Sequence, residues 1–205
     1  MYIELLDKTA RKLDKIIRQE PDVTPMATPD YGWENHRYHS EKFRLAHVEI
    51  FNQDRFMVVH TCVFPHATDP APIFGFDVIA GENKVTGVFL DLSPTVAEPE
   101  PFHNLTFKQQ RQRPEWGDIF SQNWIACRPD HDEMMLIVDE AQRLLKHYLD
   151  NVVAKTVGDP DAVVQGQNRY CNHQRQNEHT FKALKNLIGE TSARQFMDEI
   201  LFPTL

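Results

Sequence analysis

Between Phe43 and Leu92 the side chains alternate with a period of two, the spacing of β-strands whose successive residues face opposite ways. Four strands are read there: 43–51, 56–64, 73–80 and 85–92. Titratable residues stand among their apolar positions: His47 and Glu49 in the first, His60 in the second, Asp77 in the third. An unpartnered polar group inside a sheet costs about 1–3 kcal/mol, and a charge costs more. Such residues are paired or used, and the rest of the chain is the frame around them.

The turns set the expected register. NQDR (52–55) closes the first hairpin. If Phe51 pairs with Phe56, His47 lies opposite His60 and Glu49 opposite Val58, all on one face, within side-chain reach. A slip of one residue would turn a whole strand's set away. HATDPAP (66–72) is a loop, and GENK closes the second hairpin. If Ala80 pairs with Val85, Thr86 pairs with Ile79 and joins the Asp77 face. Gly75, two residues before Asp77, leaves that face open to something flat.

Outside the strands, 2–19 reads as an amphipathic helix with Leu6, Leu13, Ile16 and Ile17 on its apolar side. Prolines 21, 25 and 29 follow, so 20–42 is expected to be an extended connector. It carries Trp33 and the H-x-x-H pair His36 and His39. With no third ligand nearby, surface packing outweighs metal binding there. Residues 93–106 are Pro-rich, 107–120 begins basic, and 122–129 is a last strand. A strong helix covers 130–153, with Met135, Val138, Leu145 and Leu149 among its apolar positions. Residues 160–188 form one or two polar helices and 191–201 a short final one. Helix, strands, then helices is an α+β pattern, with an antiparallel sheet covered on both faces.

The length of 205 residues fits a single domain spanning 1–205. Lys and Arg number 22 against 30 Asp and Glu, a net charge of −8, which argues against general nucleic-acid binding. No run approaches a membrane span, and the charged N-terminus is unlike a secretory signal. The odd set Cys62, Cys127 and Cys171, without C-x-x-C spacing, points to a reducing compartment such as the cytoplasm. No phosphate-binding glycine loop and no G-x-S-x-G is present. What remains is a cluster of proton-carrying residues: His47, Glu49, His60 and Asp77. Composition and periodicity leave open whether each is a satisfied core group or an acid–base catalyst.

The strings themselves go further. HTCVFP, PIFGFDVIAG and V-T-G-x-F-L-D-L-S-P-T resemble the ferredoxin-dependent bilin reductases. RLAHVEI, QQRQRPEWGDIFS, RYCNHQRQNEHT and the terminal FMDEILF extend the likeness over 43–202, best to the phycocyanobilin:ferredoxin oxidoreductase branch. The resemblance implies a three-layer α/β/α sandwich holding biliverdin IXα between the sheet and the C-terminal helices. It implies no bound metal or flavin, and reduced ferredoxin, an iron–sulfur protein, as external donor of single electrons. His60 and Asp77 match the central pair that contacts the tetrapyrrole. His47 and Glu49 match residues beside the D-ring, where the glutamate serves vinyl reduction. Thr86 stands for a serine near a propionate, Arg111 matches a propionate-binding arginine, and Asn177 an asparagine beside the bilin. Glu178 replaces a usual aspartate and His179 a lysine.

Short phage-type members of the branch, which this chain resembles, make phycoerythrobilin. The expected reaction is therefore four-electron reduction of biliverdin IXα to phycoerythrobilin through 15,16-dihydrobiliverdin and bilin radicals. Glu178, on a helix facing the sheet, is the candidate A-ring donor. Phycocyanobilin is the alternative product. A bilin-binding protein without turnover is the rival of another class, and a purely structural α+β domain a weaker one. Arg111 is expected inward, Lys108 and Arg113 outward toward acidic ferredoxin. A monomer is expected, without nucleic-acid or membrane partners.

Overall fold

Seven strands form one antiparallel sheet whose spatial order is the chain order, β1 to β7. The computed structural model describes residues 2–205 apart from 54, 114 and 116. The strands are β1 (Thr24–Pro25), β2 (Glu34–His39), β3 (Phe43–Gln53), β4 (Phe56–Pro65), β5 (Ile73–Gly81), β6 (Val85–Ser93) and β7 (Ile125–Cys127). Helices α1 (Tyr2–Arg18) and α2 (His131–His147, continued by a π-turn over Tyr148–Val152) cover one face. Helices α3 (Pro160–Gln174), α4 (Glu178–Ile188) and α5 (Glu190–Gln195, continued by a π-turn over Phe196–Leu201) cover part of the other. This is the α+β sandwich expected from the sequence.

Period two sorts the sheet's side chains into two cores. Ala46, Val48, Val59, Phe74, Phe76, Val78 and Val88 point toward α1 and α2, where Leu6, Leu13, Ile17, Ile137 and Leu144 meet them, all fully buried. Each such side chain contributes about 1.5–3 kcal/mol. Leu45, Cys62, Phe64 and Ile73 point the other way, toward Tyr170, Phe196 and Ile200. Helix starts are capped as the sequence suggests. Asp130 and Glu133 form a reciprocal capping box on α2, and Asp159 caps α3 ahead of Pro160. Gly189, at φ 79°, makes the sharp junction between α4 and α5 that a side chain would strain.

Three expectations need correction. Residues 34–39 are not connector but strand β2, paired along β3 from Glu34↔Ile50 to Tyr38↔Ala46. The edge of β3 offers unpaired backbone groups, and this proline-free stretch satisfies them. Met135 is exposed; the buried stripe of α2 runs through Met134, Ile137, Val138, Ala141, Leu144 and Leu145. The first hairpin is tighter than a turn at 52–55 allows, because β3 reaches Gln53 and β4 starts at Phe56; position 54 lies outside the described residues.

Candidate active site

The tighter hairpin moves the register by two, which keeps every residue on its expected face but changes its partner. Glu49, not His47, lies directly opposite His60, and His47 lies opposite Cys62. His60 in turn lies opposite Asp77. One row across the sheet therefore reads Asn35, Glu49, His60, Asp77, Phe89, Ala126. The adjacent row places His47 diagonal to His60, with ring centroids 5.5 Å apart.

Hydrogen bonds hold this row. His60 Nδ1 and Asp77 Oδ1 are 2.7 Å apart. The His60 side chain is 7% exposed and that of Asp77 39%, so the pair runs from the protein interior toward solvent. His47 Nε2 meets Asn35 Oδ1 at 2.9 Å. Trp33 Nε1 donates to Glu49 Oε1 at 2.8 Å. The other ring nitrogens, His60 Nε2 and His47 Nδ1, are buried without a hydrogen-bond partner. Buried polar atoms are nearly always satisfied, so two orphans side by side mark a place built for something else.

Electrostatics separate these groups. Burial pushes the Glu49 carboxyl up to about 7, against the opposing pull of the His60 charge and the Trp33 N–H. Burial alone would lower His60, but the Asp77 carboxylate at hydrogen-bond distance outweighs it and the imidazole is held above its usual value. His47, buried and beside His60, is held well below its usual value and stays neutral. The row thus combines an imidazole whose protonated form the Asp77 carboxylate favours with a carboxyl held up to about 7. Groups poised near working pH are what general acid chemistry requires.

The floor beside this row is only partly covered. Val58, Ile79, Phe89 and Trp124 are half-exposed, whereas Cys62 and Phe64 are fully buried beneath α3 and α5. Phe89 and Trp124 lie 6.2 Å apart, and Phe120 stacks on Trp124 at 5.1 Å. Arg111 sits over the Phe89 ring at 5.3 Å and donates to the Thr86 carbonyl at 2.9 Å. It is turned inward at the rim of the floor, as expected.

Several expectations change here. Thr86 does not pair with Ile79: an irregularity between Ile79 and Ala80 makes Gly87 its partner. Beyond that bulge the Asp77 face of β6 consists of Gly87, Phe89 and Asp91, and the Thr86 hydroxyl is bonded to the Ile79 carbonyl at 3.0 Å. Gly75 is not open, since the Tyr170 hydroxyl lies 3.7 Å from where a β-carbon would stand. Asn177 spends its carbonyl oxygen capping α4, accepting from the backbone of His179 and Thr180. Glu178 does not face the sheet. Its side chain is 79% exposed and paired with Lys182 one helical turn on, and His179 is exposed too. Lys108 is paired with Asp130, and Arg113 turns onto the Trp124 ring and the Ser121 carbonyl. Both side chains are exposed on the outer side, as read from the sequence, and each has a partner within the chain.

Sequence reasoning missed four residues that shape the site: Trp33, Tyr170, Phe202 and Asp91. Phe202 lies edge-on to His60 at 6.2 Å. Asp91 accepts from the Ser93 hydroxyl and from the hydroxyl and N–H of Ser121, tying the segment before β7 to the sheet. The acidic residue in the apolar FLDLS string was the available signal for Asp91; the others depend on long-range packing. His36 of the H-x-x-H pair is bonded to Glu34, and among the described residues no three His, Cys, Asp or Glu side chains are placed to hold a metal ion. No described helix is long and apolar enough to cross a membrane.

Known proteins resemble this chain in sequence and fold. A family model described as ferredoxin-dependent bilin reductase matches residues 27–203. The chain is 32% identical over 185 residues to the phycocyanobilin:ferredoxin oxidoreductase of Synechococcus elongatus, covering 82% of this chain and 75% of that one. It is 26% identical over 184 residues to the protein of the same name from Trichodesmium erythraeum, with the same coverages of 82% and 75%. A solved structure of PcyX superposes with a TM-score of 0.70 at 25% identity, covering 98% of this chain and 99% of that one. Tomato phytochromobilin synthase, solved in complex with biliverdin, superposes with a TM-score of 0.69 at 15% identity over 98% of this chain and 83% of that one, a likeness of fold. On the match over 27–203, the chain belongs to the ferredoxin-dependent bilin reductase family and is an oxidoreductase.

Proposed function

We propose that this enzyme reduces biliverdin IXα by four electrons to phycoerythrobilin, with 15,16-dihydrobiliverdin as the intermediate. Reduced ferredoxin supplies the electrons one at a time, and four protons enter through the protein. The observation that carries the reading is the Glu49–His60–Asp77 row, buried at Glu49 and His60 and open to solvent at Asp77, beside a half-open aromatic floor. A flat conjugated tetrapyrrole fits such a floor. His60 Nε2, buried and unpartnered, is the donor in reach of its polar edge. After each electron arrives, the His60–Asp77 pair delivers a proton to the bilin radical and is refilled from solvent on the exposed Asp77 side. Arg111 swings from the Thr86 carbonyl to a propionate. His47, neutral, orients the D-ring end.

Phycoerythrobilin as product rests on the resemblance of the sequence strings to phage-type members of the branch, and the likeness to the PcyX structure over 98% of this chain supports the shared fold. Glu178 is set aside as A-ring donor because its carboxylate is solvated and paired with Lys182. A specific observation favours the second reading, phycocyanobilin. Glu49 is buried against His60 and retains its proton near neutral pH, as a D-ring vinyl donor must.

An anaerobic assay with biliverdin, reduced ferredoxin and chromatographic product analysis tests the proposal. Phycoerythrobilin is expected, and Asp77→Asn should turn over at least about a hundredfold more slowly, the usual range for a lost acid–base group. Wild-type turnover in Asp77→Asn removes the proton role. Phycocyanobilin as sole product selects the second reading.

A further inference from the structure

Trp33 belongs to no motif that identified the family, and its indole is nonetheless a hydrogen-bond donor to Glu49, the buried acid directly opposite His60. We infer that Trp33 is a positioning residue for Glu49, whose N–H occupies Oε1, confines the acidic proton to Oε2 and sets how readily the carboxyl gives that proton up. The bond is 2.8 Å long. The indole itself is fixed on three sides: Phe196 at 5.3 Å, Phe51 at 5.5 Å and Tyr31 at 5.9 Å. Phe196 belongs to the C-terminal layer and Tyr31 to the segment before β2, so the donor is held by elements from both ends of the chain.

A carboxyl with one oxygen bonded to a rigid donor has a defined protonation site, whereas an unrestrained buried carboxyl can carry its proton on either oxygen. The donor also favours the ionised form, because an N–H dipole stabilises the carboxylate more than the neutral acid. Of the charged groups around Glu49, His60 favours its ionised form and Asp77 opposes it. On β3 itself stands His47. On β2 stand Glu34 and His36, flanking Asn35, and then Arg37. On β4 and β5 stand His60 and Asp77. The C-terminal layer contributes Glu199, whose charge reaches Arg37 and Tyr31. Among the described residues, Trp33 is the side chain that acts on Glu49 by a direct hydrogen bond, and it does so without a charge of its own.

The role of Glu49 in turnover rests on the proposed function, but the positioning itself does not. Trp33→Phe keeps the ring packing and deletes the N–H. In ¹⁵N-indole spectra of the wild type, one indole resonance should titrate with Glu49, and it should be absent in Trp33→Phe and pH-independent in Glu49→Gln. Carboxyl infrared difference spectra should show the Glu49 proton lost about one pH unit higher in Trp33→Phe, the order expected for losing a hydrogen bond to a charged group. The alkaline limb of bilin reduction should move with it. A Glu49 carboxyl that titrates identically in wild type and Trp33→Phe overturns the inference. Should Trp33→Phe fail to fold, a wild-type indole resonance that ignores Glu49→Gln overturns it equally. A turnover profile indifferent to both substitutions, with the spectroscopic titrations as described, upholds the inference and counts against the proposed proton path.

Discussion

Glu49→Gln should make this protein more stable, and by an amount that depends on pH. Free in an unfolded chain Glu49 ionises near 4.5; buried opposite His60 it holds its proton to about 7. Between those values the folded chain binds a proton that the unfolded chain has lost, so stability falls as pH rises through the window and levels off above it. A displacement of roughly 2.5 units at about 1.4 kcal/mol per unit is a penalty of about 3 kcal/mol at pH 8 that is absent at pH 4. Glutamine carries no such penalty and still offers an oxygen to the Trp33 N–H. His60 has the same sign: its raised value contributes stability that is present in acid and lost as pH rises through it. Loss of the Glu49 charge weakens that contribution slightly in the variant. The assay is urea unfolding of both proteins at pH 4.5 and 8. The difference between them should swing in favour of Glu49→Gln by about 3 kcal/mol across that interval. Parallel stability curves would refute the burial account of this carboxyl.

Three further outcomes follow from other parts of the molecule. Asp91→Ala leaves the buried hydroxyl and N–H of Ser121 without their acceptor, and should cost about 2–4 kcal/mol in denaturant unfolding while loosening the segment bearing Phe120. Glu178→Gln removes only a solvated pair with Lys182, so the rate and product of bilin reduction should match the wild type; a stall at the two-electron stage would restore Glu178 as a donor. Gly166→Ala would drive a methyl group into the Thr95 carbonyl, forcing α3 away from the Pro-rich loop. That overpacking should lower the thermal midpoint by several degrees or prevent folding, as read by calorimetry.

What the sequence by itself determined was parity and class. A two-residue period cannot say which strand residue meets which, yet it does say which residues share a face. His47, Glu49, His60 and Asp77 therefore came out on one side even though the first hairpin was read with its pairing displaced by two. The same rule shows why β6 was misread: a single extra residue at the bulge reverses parity, and Thr86 gave way to Gly87, Phe89 and Asp91. The alternating strings, caps and helical stripes are local, and so are legible in a linear chain. Which carboxylate is buried is not local. Glu49 lies on a strand that gains β2 on one edge and an indole from residue 33 overhead. Glu178 opens a helix whose first turn faces solvent. Only the packing of the C-terminal layer on the sheet decided that one retains its proton near neutral pH and the other is an ordinary surface acid, because desolvation depends on neighbours the chain brings in from far away.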